Sequence, residues 1–285
     1  MIVFLVGYRL SQTLISKYWN WVIYRAGLHH RLPSYFSASA QLFLRLLVIL
    51  FLMYLIGNMH IFTRRRQSLP GALLPGLYLI IMSLLSIVNG LMNAEGFQSR
   101  STILFSITYF ILVGITEELV YRGVTADIFL KTFLFRFNPS GDMTCNRAGR
   151  KAIWEAVICS GLIFSIAHIS NISHADVSGV LVQILGAFLM GMVLVAVYYR
   201  TANIYAVIIM HAINDIAAAM PVTILQSNQT ISDVISGYGM KDVLLLIPYI
   251  VVLMIVLRPS EMESIWSRWI LEQKEETKKR IRTDI

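Results

Sequence analysis

The chain has 285 residues, 56% of them hydrophobic and only 14% charged, with a mean hydropathy of +0.66. Soluble domains carry about 25% charged residues, so this composition excludes a water-soluble protein and predicts a polytopic membrane protein. The net charge of +8 does not imply nucleic acid as a partner, because the basic residues cluster in loops between apolar runs and at the carboxyl end, where a membrane accounts for them.

In chain order, Met1–Tyr24 opens apolar and then carries Arg9, Lys17, Tyr18, Trp19 and Trp21. It reads either as a span or as an interfacial amphipathic helix. No positive segment precedes its apolar octet and no small-residue cleavage site follows, unlike a signal peptide. Apolar runs long enough to cross the bilayer, at ~20 residues per ~30 Å of hydrocarbon, lie at about 41–59, 72–93, 101–122, 152–169, 177–199, 202–221 and 241–258. They give seven spans, or eight with the opening segment.

The first two runs hold only Arg45 as a charged residue. It is expected one turn from an end, where a long side chain can snorkel. Thr63-Arg-Arg-Arg66 marks a membrane surface, and the Pro70-Gly71 and Pro75-Gly76 pairs punctuate a helix start. Positive-inside reasoning places the basic loops and the carboxyl end in the cytoplasm and the polar stretch Gln226–Gly239 outside, although Arg25 and Arg31 run against that count. The expected organisation is one membrane-embedded domain over 1–260 and a charged cytoplasmic tail over 261–285. In that tail Trp266 and Trp269 suit an interface. No internal repeat points to an inverted-repeat transporter, and Cys145 and Cys159 offer no disulfide framework.

Ionisable groups inside the apolar runs carry the functional signal. Glu117, Glu118 and Arg122 lie at the end of the run 101–122; each costs at least ~2.5 kcal/mol at membrane depth, which marks a functional site. Glu118 and Arg122, four apart, share a helical face and form a natural ion pair that can hold helices in register. Glu117 is turned roughly 100° from that pair and is free for chemistry. After Arg122 the helix is expected to continue to the break at Asn138-Pro-Ser-Gly141.

The run 152–169 ends in Phe164-Ser-Ile-Ala-His168. In an antiparallel hairpin with its tip near residue 144, His168 faces Glu117 at similar depth, and Phe164, one turn earlier, packs on the imidazole. The run 202–221 carries His211-Ala-Ile-Asn214-Asp215, with His211 about 14 Å from the run's start at 1.5 Å per residue. His211 and Asp215 are one turn apart and point into one cavity, and Asn214 is within reach of it.

A carboxylate with a histidine can hold and deprotonate water. A second histidine with an amide or a protonated acid can stabilise the oxyanion. No Ser or Cys stands in a nucleophile motif beside these histidines.

Glu117-Glu118-xxx-Arg122, Phe164-xxx-His168 and His211-xxx-Asp215, in successive apolar spans, resemble the three motifs of the type II CAAX prenyl endopeptidases and their bacteriocin-processing relatives, the CPBP or Abi family. The resemblance covers roughly 100–221. It implies an all-helical bundle around a polar intramembrane cavity, and intramembrane proteolysis without a cofactor. Glu117 and His168 would activate water, His211 and the residue four later would form the oxyanion site, and Glu118 and Arg122 would support the first motif. That later residue is usually Asn in the family and here is Asp215; an ionised Asp cannot donate, so either it is protonated or Asn214 takes the role.

The metal alternative is a zinc site with His168, His211 and Glu117 as ligands. The expected partner is a peptide or protein substrate within or near the bilayer, either membrane-associated, prenylated or bacteriocin-like. The expected location is a bacterial plasma membrane with the carboxyl end in the cytoplasm. The rival reading is a non-catalytic scaffold or bacteriocin-immunity protein that binds a peptide in the same cavity.

Overall fold

The computed structural model describes all residues except Met1, His29, His30, Ser34, Arg65, Arg66, 138–143, Asp284 and Ile285. The expected break at Asn138–Gly141 and the last two residues of the Thr63–Arg66 signal therefore lie outside the described residues. The described residues form an all-helical bundle: α1 (Ile2–Arg25), α2 (Phe36–Leu55), α3 (Leu69–Met92), α4 (Arg100–Phe137), α5 (Arg147–Ser173), α6 (Val177–Thr201), α7 (Ile204–Thr223), α8 (Ile231–Ser236), α9 (Met240–Val256) and α10 (Pro259–Thr283). Helices α2 to α7 are long and apolar enough to cross a membrane, and α9 with the first part of α10 makes a seventh candidate bent by 61°.

Helix starts follow local chemistry. The Ser99 hydroxyl accepts the Thr102 amide at the start of α4, the Asn146 side chain accepts Gly149 N–H at α5, and Asn203 accepts from Tyr205 and Ala206 at α7. Each satisfies an amide that a helix terminus leaves open. The expected helix start around Pro70 and Pro75 is α3, which tightens to a 3₁₀ turn at Leu74–Gly76.

Three expectations change. The first span runs over Phe36–Leu55 rather than 41–59, because Tyr35 and Gly57 turn the chain in left-handed conformations at either end. Arg45 therefore stands at mid-helix and does not snorkel; its Nη2 donates to Ser16 Oγ of α1 at 2.7 Å. Helix α1 doubles back along α2 and is not among the candidate spans.

The tail is not a detached element beginning at 261. Met262, Ile265, Trp266, Trp269 and Ile270 are all buried in the core, and α10 packs on α5 and α6. Trp266 is 1% exposed and rests on Gly149, so its ring and that of Trp269 fill the core instead of an interface. The polar stretch Gln226–Gly239 contains α8, closed at its start by reciprocal bonds between Thr230 and Asp233. These bonds, to the backbone and hydroxyl of Thr230, lower the Asp233 carboxyl below its ordinary range.

Helix α6 is the central post. From Met190 to Tyr199 every residue is buried, with α5 on one side and α9 on another. Helix α4 lies between α2 and α7. It continues through the Glu117 motif to Phe137 as expected, but residues Leu119–Ala126 are wound as a π-helix and all eight are buried. Thr125 Oγ1 donates to the carbonyl five residues back, Val120, at 2.9 Å. Such wider turns are frequent at functional sites.

Candidate active site

The π-helix follows directly on the two glutamates, and it separates them as the helical period requires. Glu118 has a fully buried side chain, whereas Glu117 keeps 30% exposure and lines a cavity of about 420 Å³. Glu118 Oε1 accepts Arg122 Nη1 at 2.7 Å, the expected ion pair. The same oxygen lies 2.7 Å from His211 Nδ1 of α7. A carboxylate already paired with a guanidinium is an acceptor, so His211 Nδ1 carries a hydrogen and donates it. Arg122 Nη2 also donates to Gly191 O of α6 at 3.3 Å. The buried pair thus ties α4 to both α6 and α7.

The approach of α4 to α7 depends on Gly114, one turn before Glu118. A Cβ there would lie 3.1 Å from Ala212 Cβ and 3.2 Å from both Ala212 N and Ile208 O. A larger residue would push the helices apart and lengthen the Glu118–His211 contact.

On its other side, His211 Nε2 faces Asp215 Oδ2 at 3.4 Å and Glu117 Oε2 at 3.9 Å. One proton between Nε2 and the Asp215 carboxyl satisfies both atoms, whichever holds it. Asp215 lines the cavity, whereas Asn214, half-buried one residue earlier, does not. His168 lines the same cavity from the 3₁₀ turn that ends α5, and its Nδ1 is buried with no hydrogen-bond partner.

Phe164 does more than back His168. Its ring lies edge-on to His168 at 5.5 Å and to His211 at 5.6 Å, and the Arg122 guanidinium sits 4.5 Å from its centre. Tyr121, which lines the cavity, packs against it at 5.1 Å, so Phe164 backs the cavity wall from behind. Glu117, His168 and Asp215 therefore line one cavity, whereas His211, 2% exposed, does not point into it as expected and stands behind its wall against Asp215 and Glu117. Among the described residues no three His, Cys, Asp or Glu side chains are grouped as a metal site.

Sequence reasoning missed several cavity residues. Tyr109 stands two turns before Glu117 with Val113 between them, a spacing that signals one helical face. From α1 come Tyr8, Arg9 and Gln12, from α8 come Ile231 and Ile235, and Tyr238 follows just after it. Their separation in sequence left no local signal. Asn171 donates to Gln183 at 2.8 Å and fixes the rim between α5 and α6.

Residues 99–217 match the family model described as type II CAAX prenyl endopeptidase, Rce1-like. That stretch is similar to the core of this Rce1-like family. It begins at the N-cap of α4 and ends two residues after Asp215, so it contains every residue of the three motifs. No curated protein and no solved structure matches the chain. The Rce1-like family is one of intramembrane proteases, and the six apolar helices agree with an integral membrane protein. Helices α1 to α3 and everything after 217 lie outside the matched stretch, yet α1 and α8 supply part of the cavity wall.

Proposed function

We propose that this protein is an intramembrane endopeptidase that hydrolyses peptide bonds of membrane-associated proteins, the class to which prenylated substrates belong, with Glu117 as general base. The observation that carries this reading is the division of labour between adjacent carboxylates: Glu118 is locked between Arg122 and His211, while Glu117 faces the cavity beside His168.

Water held between Glu117 and His168 gives a proton to Glu117 as its oxygen adds to the scissile carbonyl. The resulting oxyanion is met by the proton lodged between His211 Nε2 and Asp215. Glu118 keeps Nδ1 of that ring occupied, so Nε2 is the side turned toward Asp215 and Glu117, which line the cavity. Collapse of the tetrahedral intermediate breaks the C–N bond, and the proton on Glu117 passes to the leaving amine. All atoms of the water are then accounted for in the new carboxylate and amine, and no metal enters any step. In this arrangement the proton shared with His211 accommodates Asp215 where the family usually has Asn.

The test is cleavage of a membrane-anchored peptide library by detergent-purified protein, alone, with Glu117→Gln, and in strong chelator. Cleavage that is lost in Glu117→Gln and indifferent to chelator is expected. Chelator-sensitive cleavage restored by zinc would make His168 and His211 ligands. Tight peptide binding without turnover in the unaltered protein would identify a peptide-binding scaffold or immunity protein instead.

A further inference from the structure

A second cleft, about 580 Å³, lies away from the catalytic cavity and shares no residue with it. It opens between α3 and α9 at the end of the bundle where the basic residues gather. Its walls are apolar, from Leu74, Tyr78, Val252 and Ile255, and Arg200 and Arg258 close one end. Leu74 is 66% and Ile255 57% exposed, the first on a membrane-length apolar helix and the second on the apolar half of the bent candidate span, so this wall faces the lipid.

The cationic end is over-supplied. Glu261 Oε1 accepts Arg200 Nη2 at 3.0 Å and Arg258 Nη2 at 2.9 Å, and Arg268 of α10 is within electrostatic range of both Glu261 and Arg200. Two guanidiniums thus share one carboxylate and a third stands within electrostatic range of it, three positive charges against one negative. Two of their N–H groups, Arg200 Nε and Arg268 Nη2, are buried with no hydrogen-bond partner. Buried donors are normally satisfied, and a phosphate diester offers charged oxygens suited to guanidinium donors.

We propose that this cleft binds an anionic glycerophospholipid, with its phosphate among Arg200, Arg258 and Arg268 and its acyl chains along Leu74, Tyr78, Val252 and Ile255. Basic pockets between membrane helices suit such head groups. Charge complementarity selects the anionic head, and the lipid-facing wall selects a lipid over a free anion. The site uses none of the catalytic residues, so it stands or falls independently of the protease reading.

The experiment is thermal unfolding and native mass spectrometry of the full chain in neutral detergent. The additives are phosphatidylglycerol, phosphatidylcholine or inorganic phosphate. Phosphatidylglycerol should stay bound and raise the unfolding temperature, and the other two should not. Each guanidinium is worth about fivefold in affinity at an anionic lipid surface, so the double variant Arg258→Gln/Arg268→Gln should bind phosphatidylglycerol roughly 25-fold more weakly. Glu261→Gln removes the competing carboxylate and should bind it more tightly. Equal shifts with both lipids, an equal shift with phosphate alone, or unchanged phosphatidylglycerol affinity in both variants would overturn the proposal.

Discussion

Removing Glu118 tests the architecture of the site more sharply than removing any other residue. Glu118→Ala deletes the one oxygen that accepts both Arg122 and His211 at 2.7 Å, in a side chain with no solvent exposure. Arg122 would keep only the Gly191 carbonyl at 3.3 Å and the face of Phe164. Breaking a buried ion pair by removing one partner typically costs ~3–5 kcal/mol. That is a large share of the ~5–15 kcal/mol that holds a typical domain together.

Glu117→Gln differs in kind. Its ionic neighbour among the described residues is His211 Nε2 at 3.9 Å, beyond hydrogen-bond range, and the side chain is 30% exposed. Stability should change by less than ~0.5 kcal/mol, while loss of a general base costs ~10²–10⁴ in rate. Thermal unfolding, size-exclusion profile and peptide cleavage, measured on both variants, separate the two effects. A well-folded Glu118→Ala beside a misfolded Glu117→Gln would show that the roles are reversed, and full activity in Glu117→Gln would refute the mechanism.

Asp215→Asn supplies a permanent donor and is expected to keep or raise the cleavage rate, whereas Asp215→Ala should lose ~10²–10³; a dead Asn214→Ala with an active Asp215→Ala would move the donor to Asn214. Trp266→Ala should cost ~3–5 kcal/mol of stability, since the ring is 1% exposed against Gly149, and an unaffected melting curve would detach α10 from the core. The Asp233 carboxyl is held below its ordinary range by Thr230. Its cap on α8 is therefore fully formed above the pKa of a free Asp and is lost only as pH falls through the lowered value. Amide exchange at 230–233 that opens already in the ordinary carboxylate range would contradict it. Burial and the neighbouring Glu263 push the Cys145 thiol up to about 11, so maleimide labelling of this loop cysteine at pH 8 should be slow, and rapid labelling would contradict its packing.

Hydropathy and the helical period alone set the class of the fold and the residues that share a face of one helix. Long apolar runs can only be helices in a bilayer, because every backbone group must be satisfied within its own segment. The 3.6-residue period then distinguishes Glu117 from Glu118 and pairs Glu118 with Arg122 before any coordinates are known. Periodicity acts over one or two turns, however, and contacts between distant segments leave no such trace. That Glu118 bonds His211, 93 positions away, follows from the close α4–α7 crossing at Gly114. That Arg45 stands at mid-helix follows from the left-handed turns at Tyr35 and Gly57, which hydropathy alone does not register. Trp266 and Trp269 read as interfacial because aromatic residues among charges suit a membrane surface as well as a core. Only the packing of α10 against α5 and α6 decides between the two, since burying both rings removes more apolar surface from water than an interface would.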